Sequence, residues 1–294
     1  MKILITGGTG LIGSHLCVQL HQLGHELTVL SRKPETVPTF CQAIPSLDEW
    51  QPTQHFDAVI NLAGESIVDK AWTEARKKVL WESRVGLTQS IVGCIEAANA
   101  KPSVFISGSA IGYYGNTGDK ILDESAHVGK DFGAHLCDEW EKSALASSVR
   151  VCVLRTGLVL APSGGFLKKM LPTFKLGLGG SMGSGMQWMS WIHIDDYVAV
   201  LIELLTNSTA QGAYNMTAPQ PLTNQSFTEH LAKALNRRVF FSTPAWVLQL
   251  ILGERADLLL GGQRVFPVRV TDLGYTFKYH DLDDTLQALF SKKS

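Results

Sequence analysis

Three glycines constrain this chain more than any other feature. "KILITGGTGLIGSHL" sets Gly7, Gly10 and Gly13 at three-residue intervals, behind an apolar run from Lys2 to Thr6 and ahead of helical periodicity from Leu11 to Leu23. Each glycine meets a separate steric demand: Gly7 a tight turn, Gly10 a backbone that approaches a pyrophosphate, Gly13 close packing of helix on strand. The free N–H groups at the positive end of the helix then face the phosphates, so Thr9, Leu11 and Ile12 join the glycines as candidate cofactor contacts. The spacing alone is a weak sign and also fits a plain structural turn. The strand before it, the helix after it and a second apolar run at Glu26–Ser31 make it a dinucleotide-binding signature.

The remaining pattern agrees. Apolar runs at Asp57–Leu62, Ser103–Ser107 and Arg150–Arg155 alternate with helical stretches at Trp72–Asn99 and Asp131–Ala146, which predicts βαβ units and a parallel sheet. The expected class is α/β, a Rossmann-type doubly wound parallel sheet. Beyond about residue 157 the texture changes. "LAPSGGFLKKMLPTFKLGLGGSMGSGMQ" is rich in Gly and Pro and reads as long loops around one short helix. A strand-like "WIHI", a helix from Asp195 and helical patterns at Asn224–Leu235, Ala245–Leu252 and Leu282–Phe290 come after it. The reading is a cofactor-binding domain over residues 1–157 and a smaller α/β substrate region over 158–294, with sheet strands free to come from either part.

Composition narrows the partners. A formal net charge of -1 sets up no global field for nucleic acid or an anionic membrane. No apolar run reaches the roughly 18 residues that span a bilayer, and the N-terminus lacks a signal-peptide layout. The five cysteines, Cys17, Cys41, Cys94, Cys137 and Cys152, are scattered with no C-x-x-C. That pattern suits reduced thiols in a cytoplasmic protein rather than a disulfide framework or a zinc site. The expectation is a cytoplasmic protein with a small-molecule substrate and neither nucleic acid nor membrane as partner.

The end of the second strand selects the cofactor. A carboxylate there holds the ribose 2′-hydroxyl of NAD, whereas a basic group suits the 2′-phosphate of NADP. This chain reads "TVLSRKPE", with Ser31, Arg32 and Lys33 and no acid before Glu35. Arginine pairs bidentately with phosphate, and serine adds a hydroxyl donor. NADP(H) is therefore expected over NAD(H); the competing reading makes Arg32 and Lys33 solvated loop charges.

Further segments carry a resemblance. Besides G-x-x-G-x-x-G at 7–13, they are "NLAG" at Asn61–Gly64, "SGSAIGYYG" at 107–115, "LRTGLVLAP" at 154–162, "WIHIDD" at 191–196 and "GGQRVFPVRVTDLGYTFKY" near the C-terminus. Over nearly its whole length the chain resembles the extended short-chain dehydrogenases/reductases, the class that includes nucleotide-sugar epimerases. Within that class it is similar to the atypical epimerase-family branch, which has its own C-terminal domain of unknown function. The resemblance implies a nicotinamide cofactor and a substrate cleft over the C-terminal ends of the strands. It lays Ala63 and Gly64 along the cofactor, with Asn61 near the strand end, and matches Ser109 to the catalytic serine, which polarises a substrate oxygen by hydrogen bonding. A turn hydroxyl bonded to backbone is the plainer reading of Ser109. Dimers are common in the superfamily, so a homodimer is also implied, although the chain shows no interface signature.

One expected element is missing. The superfamily uses a tyrosine with a lysine four residues later, on one face of the helix after the serine strand; the ammonium lowers the phenol pKa. None of Tyr113, Tyr114, Tyr197, Tyr214, Tyr275 and Tyr279 has Lys at that spacing, and the expected place holds Gly133, Ala134 and His135. The stretch "FGAHLCDEWEK" at 132–142 thus offers His135 as a proton carrier, or is a helix packing Phe132, Leu136 and Trp140 inward. It makes a poor metal site, since His135 and Cys137 are two apart and point to different sides. Tyr113 and Tyr114, on the loop beyond Ser109, are the other candidate acids. For substrate the candidates are Arg155 at a strand end, where arginine can hold an oxyanion, and Gln187, Trp191 and His193 in the glycine-rich stretch. Asp195 reads as a helix N-cap.

Two functions are compatible with these residues. The first is an NADP(H)-dependent oxidoreductase or epimerase-like enzyme acting on a small polar or sugar-like metabolite, with a non-standard active site lacking Tyr-x-x-x-Lys. The alternative is a non-catalytic NADP(H)-binding redox sensor or regulatory protein, as an intact glycine loop beside a lost catalytic pair would suit.

Overall fold

The computed structural model describes residues 1–162, 164–239 and 241–290. Strands β1 (Lys2–Thr6), β2 (Glu26–Leu30), β3 (Gln42–Ile44), β4 (Ala58–Asn61), β5 (Val104–Ala110), β6 (Arg150–Thr156) and β7 (Gly212–Met216) form one sheet. Its order is β7-β6-β5-β4-β1-β2-β3, and every pairing is parallel. The chain winds outward from β1 in both directions, so the order reverses between β1 and β4. In a doubly wound sheet the ligand crevice opens at that reversal, outside the carboxyl ends of the strands.

Alternation along the strands builds the core on two faces. Ile3, Ile5, Ile60 and Ile106 pack on one face with Leu16 and Leu20 of α1 (Leu11–Gln22) and with the helix Ile194–Thr206. Leu4, Val59, Phe105 and Val153 pack on the other with Ile91 and Ile95. The predicted single helix over 72–99 is divided. Thr73 caps α2 (Glu74–Trp81) by accepting the Arg76 N–H, a five-residue π turn at Glu82–Gly86 interrupts the coil, and α3 (Leu87–Ala97) completes it. The helix expected after β5 is α4 (Phe132–Leu145), with Asp131 accepting the Ala134 N–H at its start.

The later part of the chain supplies the seventh strand and a separate cluster. There the helices Asn224–Ala234 and Leu282–Phe290 pack through Phe227, Leu231 and Leu286. The N-cap of the helix Ile194–Thr206 is His193, two residues earlier than expected, and its Nδ1 accepts the Asp195 N–H. Asp196 is instead fully buried: its carboxylate accepts from the Tyr275 hydroxyl and the N–H groups of Lys278 and Tyr279, pinning the tail. Among the described residues no helix is long and apolar enough to cross a membrane, and all five cysteines are free thiols.

Candidate functional site

The glycine loop forms a bare cradle. Gly10 is the N-cap of α1, and no side chain caps that helix, so its first N–H groups face the crevice rather than a side chain. Gly7 has a φ of 71°, and a Cβ there would lie 2.7 Å from the Leu62 carbonyl; at Gly13 a Cβ would lie 2.2 Å from the Gly7 oxygen. The loop borders a cavity of about 790 Å³, lined by Thr9 and Gly10 on one side, Ser31 and Arg32 at the end of β2, and Ala63 and Gly64 beyond β4. Leu11 and Ile12 open α1, and Leu11 packs beneath the backbone of Gly164 and Gly165. Asn61 lies behind this wall, fully buried, accepting from Thr6 at 2.5 Å and donating to Thr88 at 2.9 Å. Ser31 Oγ closes its own turn on the N–H and carbonyl of Lys33. Arg32 is 89% exposed and reaches Glu65 at 3.2 Å.

Strand register places the second group of residues. Ser109 on β5 lies beside Arg155 on β6, and Arg155 beside Asn215 on β7. One hydrogen-bonded network joins them. Ser109 Oγ donates to Glu141 Oε1 at 2.6 Å, and the Arg155 guanidinium holds both Glu141 oxygens at 2.9 Å. Arg155 also donates to the Tyr114 hydroxyl at 3.0 Å, which in turn donates to Asn215 Oδ1 at 2.6 Å. Burial disfavours the Arg155 cation, but its contacts with Glu141 outweigh that and raise its pKa. Burial pushes the Tyr114 phenol up to about 12, against the opposing pull of Arg155. Ser109 is 3% exposed and Tyr114 is 1% exposed, so both hydroxyls and Arg155 face inward partners. Tyr113 is half-buried, with the Arg155 guanidinium over its ring, 3.6 Å from the centroid. Burial raises its pKa despite Arg155, so at neutral pH it is a phenol.

Two functional candidates emerge that sequence reading missed. Glu141 carried one signal, a carboxylate on the inward stripe with Cys137 and Ala144 of α4, where a charge needs a buried partner. Arg84 carried none, because the π turn sets its direction. Its guanidinium comes within 3.2 Å of where a Gly64 Cβ would stand, and it donates to the Glu65 carbonyl at 2.9 Å. Burial lowers its pKa, and among the described residues no carboxylate pairs with it. Cys137, facing this region, is pushed up to about 12 by burial and by Glu141; it is an inert thiol. His135 is exposed on the outer face of α4, its ring 5.5 Å from that of Trp81. With Asp138 and Glu139 it makes up the metal-ligand grouping found among the described residues, yet Lys142 already holds both carboxylates, at 2.7 and 2.8 Å.

The candidates from the glycine-rich stretch are committed to internal contacts. Trp191 is fully buried and donates to the Gln220 carbonyl. His193 is buried, its ring tilted 33° against that of Tyr279 with centroids 3.8 Å apart. Gln187 donates to the carbonyls of Met182 and Leu259, tying two loops.

Comparison with known proteins covers nearly the whole chain. A model of the NAD dependent epimerase/dehydratase family matches residues 3–217, and one of a domain of unknown function matches residues 243–289. The chloroplastic epimerase family protein SDR39U1 homolog of Arabidopsis thaliana is 38% identical over 301 residues, covering 98% of this chain and 86% of that protein. The Homo sapiens epimerase family protein SDR39U1 is 36% identical over 300 residues, covering 98% and 99% respectively. A crystal structure of the human protein with NADPH matches with a TM-score of 0.91 at 35% identity, covering 98% of this chain and 99% of that one.

Proposed function

The chain belongs to the NAD dependent epimerase/dehydratase family, and from that premise we propose that it is an NADP(H)-binding oxidoreductase or epimerase acting on a small polar or sugar-like metabolite. One observation carries the reading: the cavity beside the uncapped glycine loop has Ser31, Arg32 and Lys33 at its β2 end, and the strand end itself carries no acid, the cavity's carboxylates Asp48 and Glu65 coming from other segments. The human relative solved with NADPH supports it. Residues 1–157 form most of the cofactor walls and 158–294 the facing side of the substrate cleft. The free thiols favour a reducing compartment, the cytoplasm.

The residues present fit the cofactor. Gly7, Gly10 and Gly13 leave room for a pyrophosphate, and the α1 N–H groups hold its charge. Arg32 and Ser31 would hold the 2′-phosphate, and Ala63 and Gly64, with Arg84 behind Gly64, would flank the dinucleotide. When bound, the nicotinamide supplies or accepts the hydride. Tyr113 is our candidate for moving the accompanying proton: half-buried on the loop beyond β5 and protonated at neutral pH, it would donate to a carbonyl oxygen as that oxygen gains charge. Glu141 and Arg155 position it from behind, and Ser109 is tied to the same carboxylate.

The test loads the protein with NADPH deuterated at the transferable position, adds metabolite extract from the source cells and tracks deuterium by mass spectrometry. A labelled product names the substrate, and Tyr113→Phe should then cut labelling about 10²–10⁴-fold without weakening NADPH binding. Unlabelled metabolites with bound, unchanged cofactor overturn the oxidoreductase and leave an epimerase that returns its own hydride or the second reading, a redox sensor that never moves one. The inward-facing Ser109 and Tyr114 hydroxyls speak for that reading.

A further inference from the structure

Arg32 is the only cation the cofactor reading gives to the 2′-phosphate by bidentate pairing, and it already has a partner. Its guanidinium crosses from the end of β2 to Glu65 at 3.2 Å, and both residues line the same cavity. Glu65 comes directly after Gly64 on the opposite wall, so the pair bridges the space that the adenosine end of a dinucleotide enters. The second oxygen of Glu65 takes Arg76 at 3.3 Å, and hydrogen bonds from Arg32 and then Arg76 hold its carboxyl below the usual range. It therefore stays ionised across the physiological range.

We propose that Glu65 sets cofactor preference from the far wall, as an internal competitor for the 2′-phosphate. The proposal rests on the cofactor reading above and adds to it a residue outside the strand end where preference is normally read. NADPH must draw Arg32 away from Glu65 and bring a phosphate of like charge toward that carboxylate. NADH has no phosphate, leaves the Arg32–Glu65 bridge in place and presents a 2′-hydroxyl that a carboxylate can accept. Glu65 thus narrows the gap between the two cofactors that Ser31 and Arg32 open. Arg76 is the reason the carboxylate stays where it is: 9% exposed, it also donates to the Ser66 carbonyl and anchors the loop.

Dissociation constants for NADPH and NADH would be measured by fluorescence on the wild type, Glu65→Gln, Arg32→Gln and the double variant. Glu65→Gln keeps an oxygen for Arg76 and should bind NADPH about threefold or more tightly, with NADH unchanged or weaker. The gain should shrink in 1 M salt, where the screening length falls to about 3 Å, and should be largely lost when Arg32 is already Gln. Glu65→Asp, too short to reach Arg32 but still charged for Arg76, should shift NADPH in the same direction and serves if the glutamine variant melts early. Unchanged or weaker NADPH binding in both Glu65 variants, with wild-type melting temperature, overturns the proposal alone. A gain that persists in full without Arg32 also overturns it. A wild type that binds neither dinucleotide overturns this proposal together with the reading beneath it.

Discussion

Removing the Arg155 guanidinium would strand the Glu141 carboxylate in a place where water cannot reach it. Breaking a buried pair by deleting one partner costs about 3–5 kcal/mol, because the remaining charge is left uncompensated. Arg155→Met should therefore lower the unfolding free energy by that amount, seen as an earlier urea midpoint at unchanged denaturant slope, and removing both charges should cost less. His193 gives a pH signature. Burial holds its pKa below the ordinary 6.5, so the unfolded chain binds a proton that the folded protein refuses. Stability must then decline as pH falls below about 6.5 and level off once the folded pKa is passed. His193→Asn keeps an acceptor for the Asp195 N–H and should flatten that part of the melting-temperature profile between pH 7.5 and 5. At this scale the sequence was only partly legible. Ser109, Arg155 and Tyr114 were singled out, but the carboxylate that Ser109 and Arg155 share stands on another element, and nothing next to Arg155 in the chain announces it.

Among the elements, the loop and helix at residues 7–22 obey local rules and were read directly, because a glycine needed for contact between neighbouring segments leaves its mark in spacing. Gly13→Ala should abolish NADPH binding and destabilise the fold, since its Cβ would press on the Gly7 oxygen. Gly24→Ala makes the opposite demand: its backbone is left-handed, with φ 81°, but a Cβ meets nothing within 4 Å; its cost should stay near the roughly 1–2 kcal/mol of left-handed backbone. Comparing the two variants by thermal melt and by fluorescence titration separates contact from conformation. The π turn at Glu82–Gly86 was illegible for the opposite reason. One residue inserted into helical hydrogen bonding rotates the adjoining coil without any demand on residue type, and that rotation is what brings Arg84 to Gly64.

Across the whole molecule, five of the seven sheet strands were legible because each strand–helix–strand unit is short and patterned, whereas the edge strands β3 and β7 were not among them. The network around Arg155 is a product of the assembled sheet: Tyr114 meets Asn215 101 positions later, and Glu124 receives the Arg269 N–H from 145 positions away. That long reach has a consequence for the newborn chain. At roughly 5–20 residues per second on the ribosome, Glu124 leaves the exit tunnel some 5–18 s before its β7 partner Asn215 emerges, 91 positions later. During that interval β5 and β6 can pair, and Glu141 can find Arg155, while the Tyr114 hydroxyl and the Glu124 carboxylate face solvent through the unfilled place of β7. The nascent protein therefore passes through a long-lived species with one open sheet edge, the form that a holdase would recognise and that a stalled translation would leave behind.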